Sequence, residues 1–539
     1  MKPKTGTTKV NRLFGASAYA QATTTNYEGA PAFDRGDEEA LVLTLTTGTF
    51  EPTYYASDAQ ISSAAVALFR KFADTDPHFL AQAIIYARTQ GLLRLAPITA
   101  LAVLSISEHP DAKELFRRAF PRVIQTPGDL QDFVLLCRQK TIRGMGKTVT
   151  RAADRWLAAM SEYHAIKYGA ESQEMSLHDI YRLTRPRLSG QANAIARWIV
   201  KGEADEMVVP QIAGYERFKR LAREQEAEPT PEREQEMLHL IEEHRLPWEV
   251  VTAQVAGSTA VWTAMLYQMP YMALLRNLNN LIKYGVTKDD QALAYITATL
   301  ADPQRVVSSK QLPFRFYSAV KALQKQAGSE VEAIRAAVDV ALEQSFANMP
   351  DLGARVLIAN DISGSMQSNP SARSDMTMAE IAGVFAAAAF KKAEAGEIIS
   401  FDDEAHPRKI RKSERITDIV RKISAIMGGT NLSAPLEYAF RHNREYDVAI
   451  FLTDSESWVD HLTRHRGSLD LIREYKQRVN PHLICFFVQL VPYRHAVVPP
   501  DEPGCYYLYG WNASMLSFIA LMARGGSSQM ESVRQVSVL

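Results

Sequence analysis

Cysteine is scarce in this sequence of 539 residues: only Cys137, Cys485 and Cys505 are present. They share no CxxC or Cys/His spacing, so neither a disulfide framework nor a zinc site is expected, and a reduced, cytoplasmic setting fits. Net charge is also missing. The 61 Lys and Arg balance 61 Asp and Glu, which excludes a uniformly basic nucleic-acid binder but leaves room for a local basic face. No stretch approaches the ~18 consecutive apolar residues of a membrane span. The longest, such as ALAVLSI, are short and lie inside amphipathic patterns. The opening MKPKTGTTKVNRLFG has no apolar run behind its charges, so no secretory signal and no membrane attachment are expected.

Catalytic signatures are lacking too. DISGSM is not GxSxG, and no histidine occupies an obvious partner position. GMGKT (Gly144–Thr148) has the look of a phosphate loop, but Thr141 stands where the first glycine of that motif belongs. The histidines of HLIEEH (His239–His244) are five residues apart, about 140° around a helix, and cannot share a face as zinc-protease ligands do. No paired carboxylates or His/Cys set stand out. No enzyme is expected.

What is present divides the chain. Residues 1–35 are rich in Thr, Ala, Gly and Asn, lack periodicity, and read as an extended N-terminal arm. From residue 36 to 348 nearly every segment has helical spacing, with apolar residues at i, i+3, i+4 and i+7, as in ISSAAVALFRKFA and EVEAIRAAVDVALEQSF. Breaks carry Pro, Gly or Asp, and strand signals are nearly absent. Many helices joined by short breaks predict antiparallel pairs stacked as an α-solenoid of HEAT-like repeats, although no crisp sequence repeat marks them. The charged segment REQEAEPTPEREQEM predicts a solvent-facing helix–turn–helix or loop. Residues 349–530 change pattern. ARVLIAND, EIISFD, YDVAIFLTD and HLICFFVQL alternate with amphipathic helices, which predicts a parallel sheet covered on both faces. The fold class is therefore multidomain, all-α followed by α/β.

A set of oxygen donors gathers where such a sheet binds ligands, at the C-terminal ends of its strands. Asp361, Ser363 and Ser365 alternate just after the first buried strand. Thr430 lies in the glycine-rich GGTN, and Asp454 ends the strand of FLTD. A hard divalent cation takes oxygen ligands and keeps several waters. Mg²⁺ suits this set, with Mn²⁺ or Ca²⁺ as alternatives. The pattern resembles the metal-ion-dependent adhesion site of von Willebrand factor A domains. A bland reading, in which the two aspartates merely cap helices, explains one of them and not the coincidence.

Basic residues cluster in the helical part. Residues 138–197 hold eleven: Arg138, Lys140, Arg143, Lys147, Arg151, Arg155, Lys167, Arg182, Arg185, Arg187 and Arg197. Five acids oppose them: Asp154, Glu162, Glu171, Glu174 and Asp179. Lys147, Arg151 and Arg155 fall on one helix face. Such clusters grip phosphate backbones, while the competing reading is a solvated face of internal ion pairs.

RGMGKTVTRAADRWL, MSLHDIYRLTRP, HLIEEHRLPWEV and VWTAMLYQMPYMALLRNLNNL resemble the helical TROVE domain of the Ro autoantigen family. DISGSM, ISFDDE, GGTNLSAPL and FLTDSE resemble that family's A-type domain. Together the likeness spans roughly residues 36–525 and points to a bacterial member. The resemblance implies a helical-repeat ring whose ends are held by the A-type domain. It implies that small noncoding Y RNA binds the basic outer surface. It implies that single-stranded 3′ ends of structured or misfolded RNA enter the central hole. It also implies partnership with exoribonucleases, polynucleotide phosphorylase among them, in RNA processing, decay, quality control and stress. All five metal-motif positions carry over. RLTRP aligns with an RNA-contacting helix whose key position is histidine in the family; Arg185 stands there in this sequence, keeping charge and planar stacking but not the same hydrogen bond. Lys167 and Arg182 flank it, and Lys147 and Arg151 follow the GM-containing turn. One protein per RNA is the expected stoichiometry. The alternative function is a metal-dependent protein-adhesion module with the helices as spacer.

Overall fold

The computed structural model describes residues 24–25, 31–34, 36–47, 58–91, 93–139, 142, 144–169, 174–255, 257–369, 376–425, 428–454, 467–491, 495–499, 502–509, 513–523 and 529–538. By internal contacts the chain falls into two units. One comprises Met1–Leu68, Leu312–Lys321 and Leu342–Gln535; the other comprises Phe69–Gln311, Ala322–Ala341 and Val536–Leu539.

The second unit is helical among its described residues, and its helices begin where the sequence supplies caps. Pro77–Thr89 opens on Asp76, whose carboxylate accepts from the Phe79 amide, with proline at the first turn. Pro127–Arg138 opens on a capping box between Thr126 and Asp129. Leu177–Thr184 opens on another, between Ser176 and Asp179, and stops at Arg185, which is left-handed at φ 48°. REQEAEPTPEREQEM resolves into the end of helix Pro210–Ala227, a turn, and helix Pro231–His244 capped by Thr230. Buried apolar faces join the helices. Phe116, Phe120 and Phe133 from two successive helices meet with ring centroids 5.3–6.0 Å apart. The capping Asp129 is itself buried, and its carboxylate accepts from Arg88 at 3.0 Å and Arg94 at 2.7 Å.

The first unit holds the sheet. Its strands are β1 (Arg355–Asp361), β2 (Ala395–Phe401), β3 (Ala405–Arg408), β4 (Val448–Thr453), β5 (Ile484–Gln489) and β6 (Cys505–Tyr509), in the order β3-β2-β1-β4-β5-β6. All neighbours are parallel except the β2–β3 hairpin. β4 is buried at every position and β1 at all but the first, as the unbroken apolar runs VLIA and VAIFL require. Helices such as Met378–Lys392, with twelve buried residues, cover the sheet. The described residues of the N-terminal arm are extended. Pro31–Asp34 pairs antiparallel with Thr24–Thr25 and with His495–Ala496; the remainder of residues 1–35, apart from that pair of strands, lies outside the described residues.

Candidate metal centre and nucleic-acid interface

β1 and its two neighbours bring the expected oxygen donors to one end of the sheet. Asp361 is the last residue of β1. The amide of Ser363 donates to Asp361 Oδ1 at 2.9 Å, a side-chain turn that bends the chain off the strand. The Ser363 and Ser365 hydroxyls then lie 3.3 Å apart. Asn360 registers with Leu452 on parallel β4, so Thr453 and Asp454 come out beside Asp361. Thr453 Oγ1 donates to Asp361 Oδ2 at 2.6 Å. On the other side Asp361 registers with Phe401 of β2. The loop carrying Thr430 is tied to the end of that strand: the Asn431 amide donates to Asp402 O at 2.7 Å, and the Gly429 amide to Asp403 Oδ2 at 3.1 Å. Gly428 packs closely there, and a side chain would have to displace two carboxylates. A Cβ would lie 2.7 Å from Asp403 Oδ2 and 3.0 Å from Asp402 Oδ2.

The five residues are almost wholly withdrawn from solvent: Asp361 is 0 % exposed, Ser363 1 %, Ser365 7 %, Thr430 2 % and Asp454 3 %. Burial, and next the negative charge of Asp454, push the Asp361 carboxyl up to about 7. Two carboxylates held together out of water are costly to leave uncompensated. With the Ser363 and Ser365 hydroxyls beside Asp361 and the Thr430 loop at the same end of the sheet, they offer a hard, oxygen-only donor set of the kind that fits a divalent cation. Among the described residues no three His, Cys, Asp or Glu converge on one point, so the softer transition-metal sites have no counterpart. Sequence reasoning missed two participants. Thr453 orients Asp361. Asp402, 6 % exposed, anchors the Thr430 loop and faces His406 Nε2 at 2.8 Å. ISFDDE carried the same signal as the other sites, an acid directly after an apolar strand.

The basic cluster is less uniform. Helix Lys147–Ala158 buries Val149, Ala153 and Leu157. Lys147, Arg151 and Arg155, offset by two residues and hence about 200° around, are exposed on the opposite face. Among the described residues none of the three is ion-paired. Beside them a cavity of about 450 Å³ opens against helix Ala112–Val123, lined by Arg117, Thr148, Arg151, Arg155 and Trp156. Arg117 was not singled out in the sequence, although the RR of AKELFRRAF marks it; it is ion-paired with Glu114 at 2.9 Å. Arg138, Arg182, Arg185 and Arg187 are exposed and without an ion pair among the described residues. Helix Leu177–Thr184, which carries Arg182, packs on helix Lys147–Ala158. Lys167 differs: it is half-buried and bonded to Glu249 at 2.5 Å. Arg197 is likewise held by Glu203 at 2.6 Å. Lys140 and Arg143 lie outside the described residues.

The TROVE domain model matches residues 36–246 and 243–350, and the Ro60 vWA domain model matches residues 355–523. RNA-binding protein RO60 of Deinococcus radiodurans is 24 % identical over 531 residues, covering 93 % of this chain and 95 % of that protein. RNA-binding protein RO60 of Caenorhabditis elegans is 22 % identical over 575 residues, covering 91 % and 88 %. Telomerase protein component 1 of Mus musculus is 23 % identical over 340 residues, covering 54 % of this chain but 13 % of that protein. Among solved structures, the crystal structure of the Deinococcus radiodurans RO (RSR) protein superimposes with a TM-score of 0.69 at 21 % identity, covering 91 % of this chain and 100 % of that one. The helical unit with its basic face and the parallel sheet with its oxygen-donor cluster are thus the two halves of one known architecture, and the chain belongs to the TROVE-domain family of Ro60-type proteins.

Proposed function

We propose that this protein is an RNA-binding scaffold, acting without catalysis of its own. The observation that carries the reading is the face of helix Lys147–Ala158. Lys147, Arg151 and Arg155 stand exposed at four-residue spacing, unpaired among the described residues, while the apolar residues of the same helix are buried. Two other cations of the same basic run, Lys167 and Arg197, are by contrast held by carboxylates. A row of unneutralised cations is suited to a polyanion. Arg138, Arg182, Arg185 and Arg187 extend it. Both full-length relatives bear the name RNA-binding protein, in line with this reading.

The finer reading follows from family membership. Small noncoding Y RNA is held by the basic surface, and single-stranded 3′ ends of structured or misfolded RNAs enter the ring formed by the helical repeats. The complex then assists exoribonucleases such as polynucleotide phosphorylase in processing and quality control, in the cytoplasm, with one protein per RNA. Among the described residues no helix is long and apolar enough to cross a membrane. The A-type domain binds Mg²⁺, or Mn²⁺ or Ca²⁺, through Asp361, Ser363, Ser365, Thr430 and Asp454. A second function, engagement of a partner protein's carboxylate at that ion, is favoured by the hydroxyl-rich donor set and is compatible with the first. The test is a gel-shift titration with a structured RNA: replacing Lys147, Arg151 and Arg155 together by Gln weakens binding, and unchanged affinity removes the assignment.

A further inference from the structure

Away from the basic helix face, the helical unit contains a larger hollow of about 890 Å³. Its walls come from helices Glu162–Gly169, Pro231–His244, Trp248–Gln254 and Thr259–Leu266 and from the turn after the last of these. That volume lies within the range of ligand-binding clefts and exceeds what a single side chain would fill. Its lining is chemically distinctive. Three aromatic side chains, Tyr163, Trp248 and Tyr267, face it together with two amides, Gln235 and Gln268, and one guanidinium, Arg245. Tyr163 is 37 % exposed and Tyr267 49 % exposed, large apolar surfaces that a folded chain ordinarily covers. Tyr267 is held at one edge by Tyr295, centroid 4.8 Å away and tilted 61°, so its position is fixed by an edge contact.

Several polar groups of the hollow are uncommitted, although His239 Nδ1 faces Glu243 at 3.5 Å. Among the described residues the side chains of Gln235, Gln268, Trp248 and Arg245 make no hydrogen bond or ion pair. Arg245, itself left-handed at φ 47°, ends helix Pro231–His244 and lines the hollow, with its amide bonded to the Glu242 and Ile241 carbonyls. The charge of the hollow is nearly balanced. Arg245 is opposed by Glu242 on the same lining, and the nearby Glu249 is already neutralised by Lys167. A polyanion gripped through its phosphates alone would find little here. A flat, hydrogen-bonding ring system would find stacking faces, and donors and acceptors for its edges.

We propose that this hollow binds unpaired nucleobases of single-stranded RNA, with Tyr267, Trp248 and Tyr163 as stacking platforms. Gln235 and Gln268 reach the base edges, and Arg245 meets the single phosphate that enters with them. The volume holds two or three nucleotides, and a base paired in a duplex is not presented to it. The inference rests on the RNA-binding reading and adds a second, chemically different site to it. The helix face of Lys147, Arg151 and Arg155 binds charge and is salt-sensitive; the hollow binds rings and is nearly salt-independent.

The test uses the full-length protein, a fluorescein-labelled uridylate decamer, and a blunt-ended RNA duplex with every base paired. Tyr267→Ala lowers decamer affinity by roughly tenfold, the loss of one stacked base at about 1.4 kcal/mol. Tyr267→Phe retains it, and duplex affinity and the slope of log affinity against log salt stay unchanged in both variants. Photocrosslinking of a 4-thiouridine decamer, read by mass spectrometry, places modified peptides at Tyr163, Trp248 or Tyr267. Unaltered melting of Tyr267→Ala, which removes an exposed ring, shows that the fold survives; should it melt lower, Gln268→Ala with the crosslinking map decides instead. Wild-type binding of both RNAs with equal decamer affinity in Tyr267→Ala and crosslinks elsewhere overturns the hollow as a site and leaves the RNA-binding reading standing. Failure of the wild type to bind either RNA overturns both.

Discussion

The Asp361 carboxylate makes the metal-free A-type unit pay for its own site, and removing that charge has a calculable consequence. Asp361 is fully buried beside Asp454, and burial and that neighbour raise its carboxyl to about 7 from an unfolded value near ~3.9. The folded state therefore holds a proton that the unfolded state has released between those two values. The penalty is absent below about pH 4, grows as pH rises, and is complete above about pH 7. Three units at about 1.4 kcal/mol each give a full penalty on the order of 4 kcal/mol at pH 8. Asp361→Asn keeps an acceptor for the Ser363 amide and a partner for Thr453 Oγ1 while deleting the charge. In EDTA at pH 8 the variant melts higher than wild type, by about 2–4 °C per kcal/mol for a unit of this size. At pH 4 the two coincide. Magnesium reverses the order: wild type gains about 2.7 kcal/mol when the ion stands at a hundred times its dissociation constant, and the variant gains nothing. Differential scanning calorimetry of both proteins, with EDTA and with Mg²⁺, reads all four states. A variant that melts lower in EDTA at pH 8, or that gains as much from Mg²⁺ as wild type, refutes the reasoning.

Further predictions concern the helical unit and the independence of the two sites. Asp129→Asn removes a buried charge that serves Arg88, Arg94 and the amides of Gln125 and Thr126, so at pH 7 it costs about 3–5 kcal/mol by chemical denaturation. The carboxyl of Asp129 lies below its ordinary range because its bonds to these arginines outweigh burial; its contribution is therefore present above about pH 4 and lost as pH falls through the lowered folded value, and a deficit that persists unchanged at pH 2 contradicts it. Ser363→Ala with Ser365→Ala leaves affinity for structured RNA within about twofold, because mutations at independent sites rarely couple by more than ~0.5 kcal/mol; a large loss in the folded double variant, read by gel shift, would place the ion in RNA binding.

The sequence showed some features and hid others for identifiable reasons. Buried strands and their acids were legible because β1 and β4 carry the unbroken apolar runs VLIA and VAIFL, with Asp361 at the end of β1 and Asp454 directly after β4. The two faces of helix Lys147–Ala158 were legible because Val149, Ala153 and Leu157 alternate with Lys147, Arg151 and Arg155 at a fixed offset. Pairing across distant segments was not. Lys167 stands in the same basic run as Lys147, but Glu249, eighty-two residues further on, occupies it. Arg117 reaches the cavity beside Arg151 from a different helix. Asp402 anchors the Thr430 loop through a main-chain carbonyl, and its place directly after an apolar strand, in ISFDDE, does not distinguish that role from a ligand's. The hollow of Tyr163, Trp248 and Tyr267 draws on four helices, and nothing in any one of them announces it.

The central claim, that an exposed row of unpaired cations on helix Lys147–Ala158 grips RNA through its phosphates, is tested most directly by the salt dependence of binding. Fluorescence anisotropy with a structured RNA is measured from 50 to 300 mM KCl for wild type and for Lys147→Gln with Arg151→Gln and Arg155→Gln. Each phosphate contact on a duplex contributes about 0.9 to the slope of log affinity against log salt. Loss of three contacts therefore flattens the slope by about 2.7, with weaker binding at low salt and converging affinities at high salt. A triple variant whose slope and low-salt affinity match wild type contradicts the account.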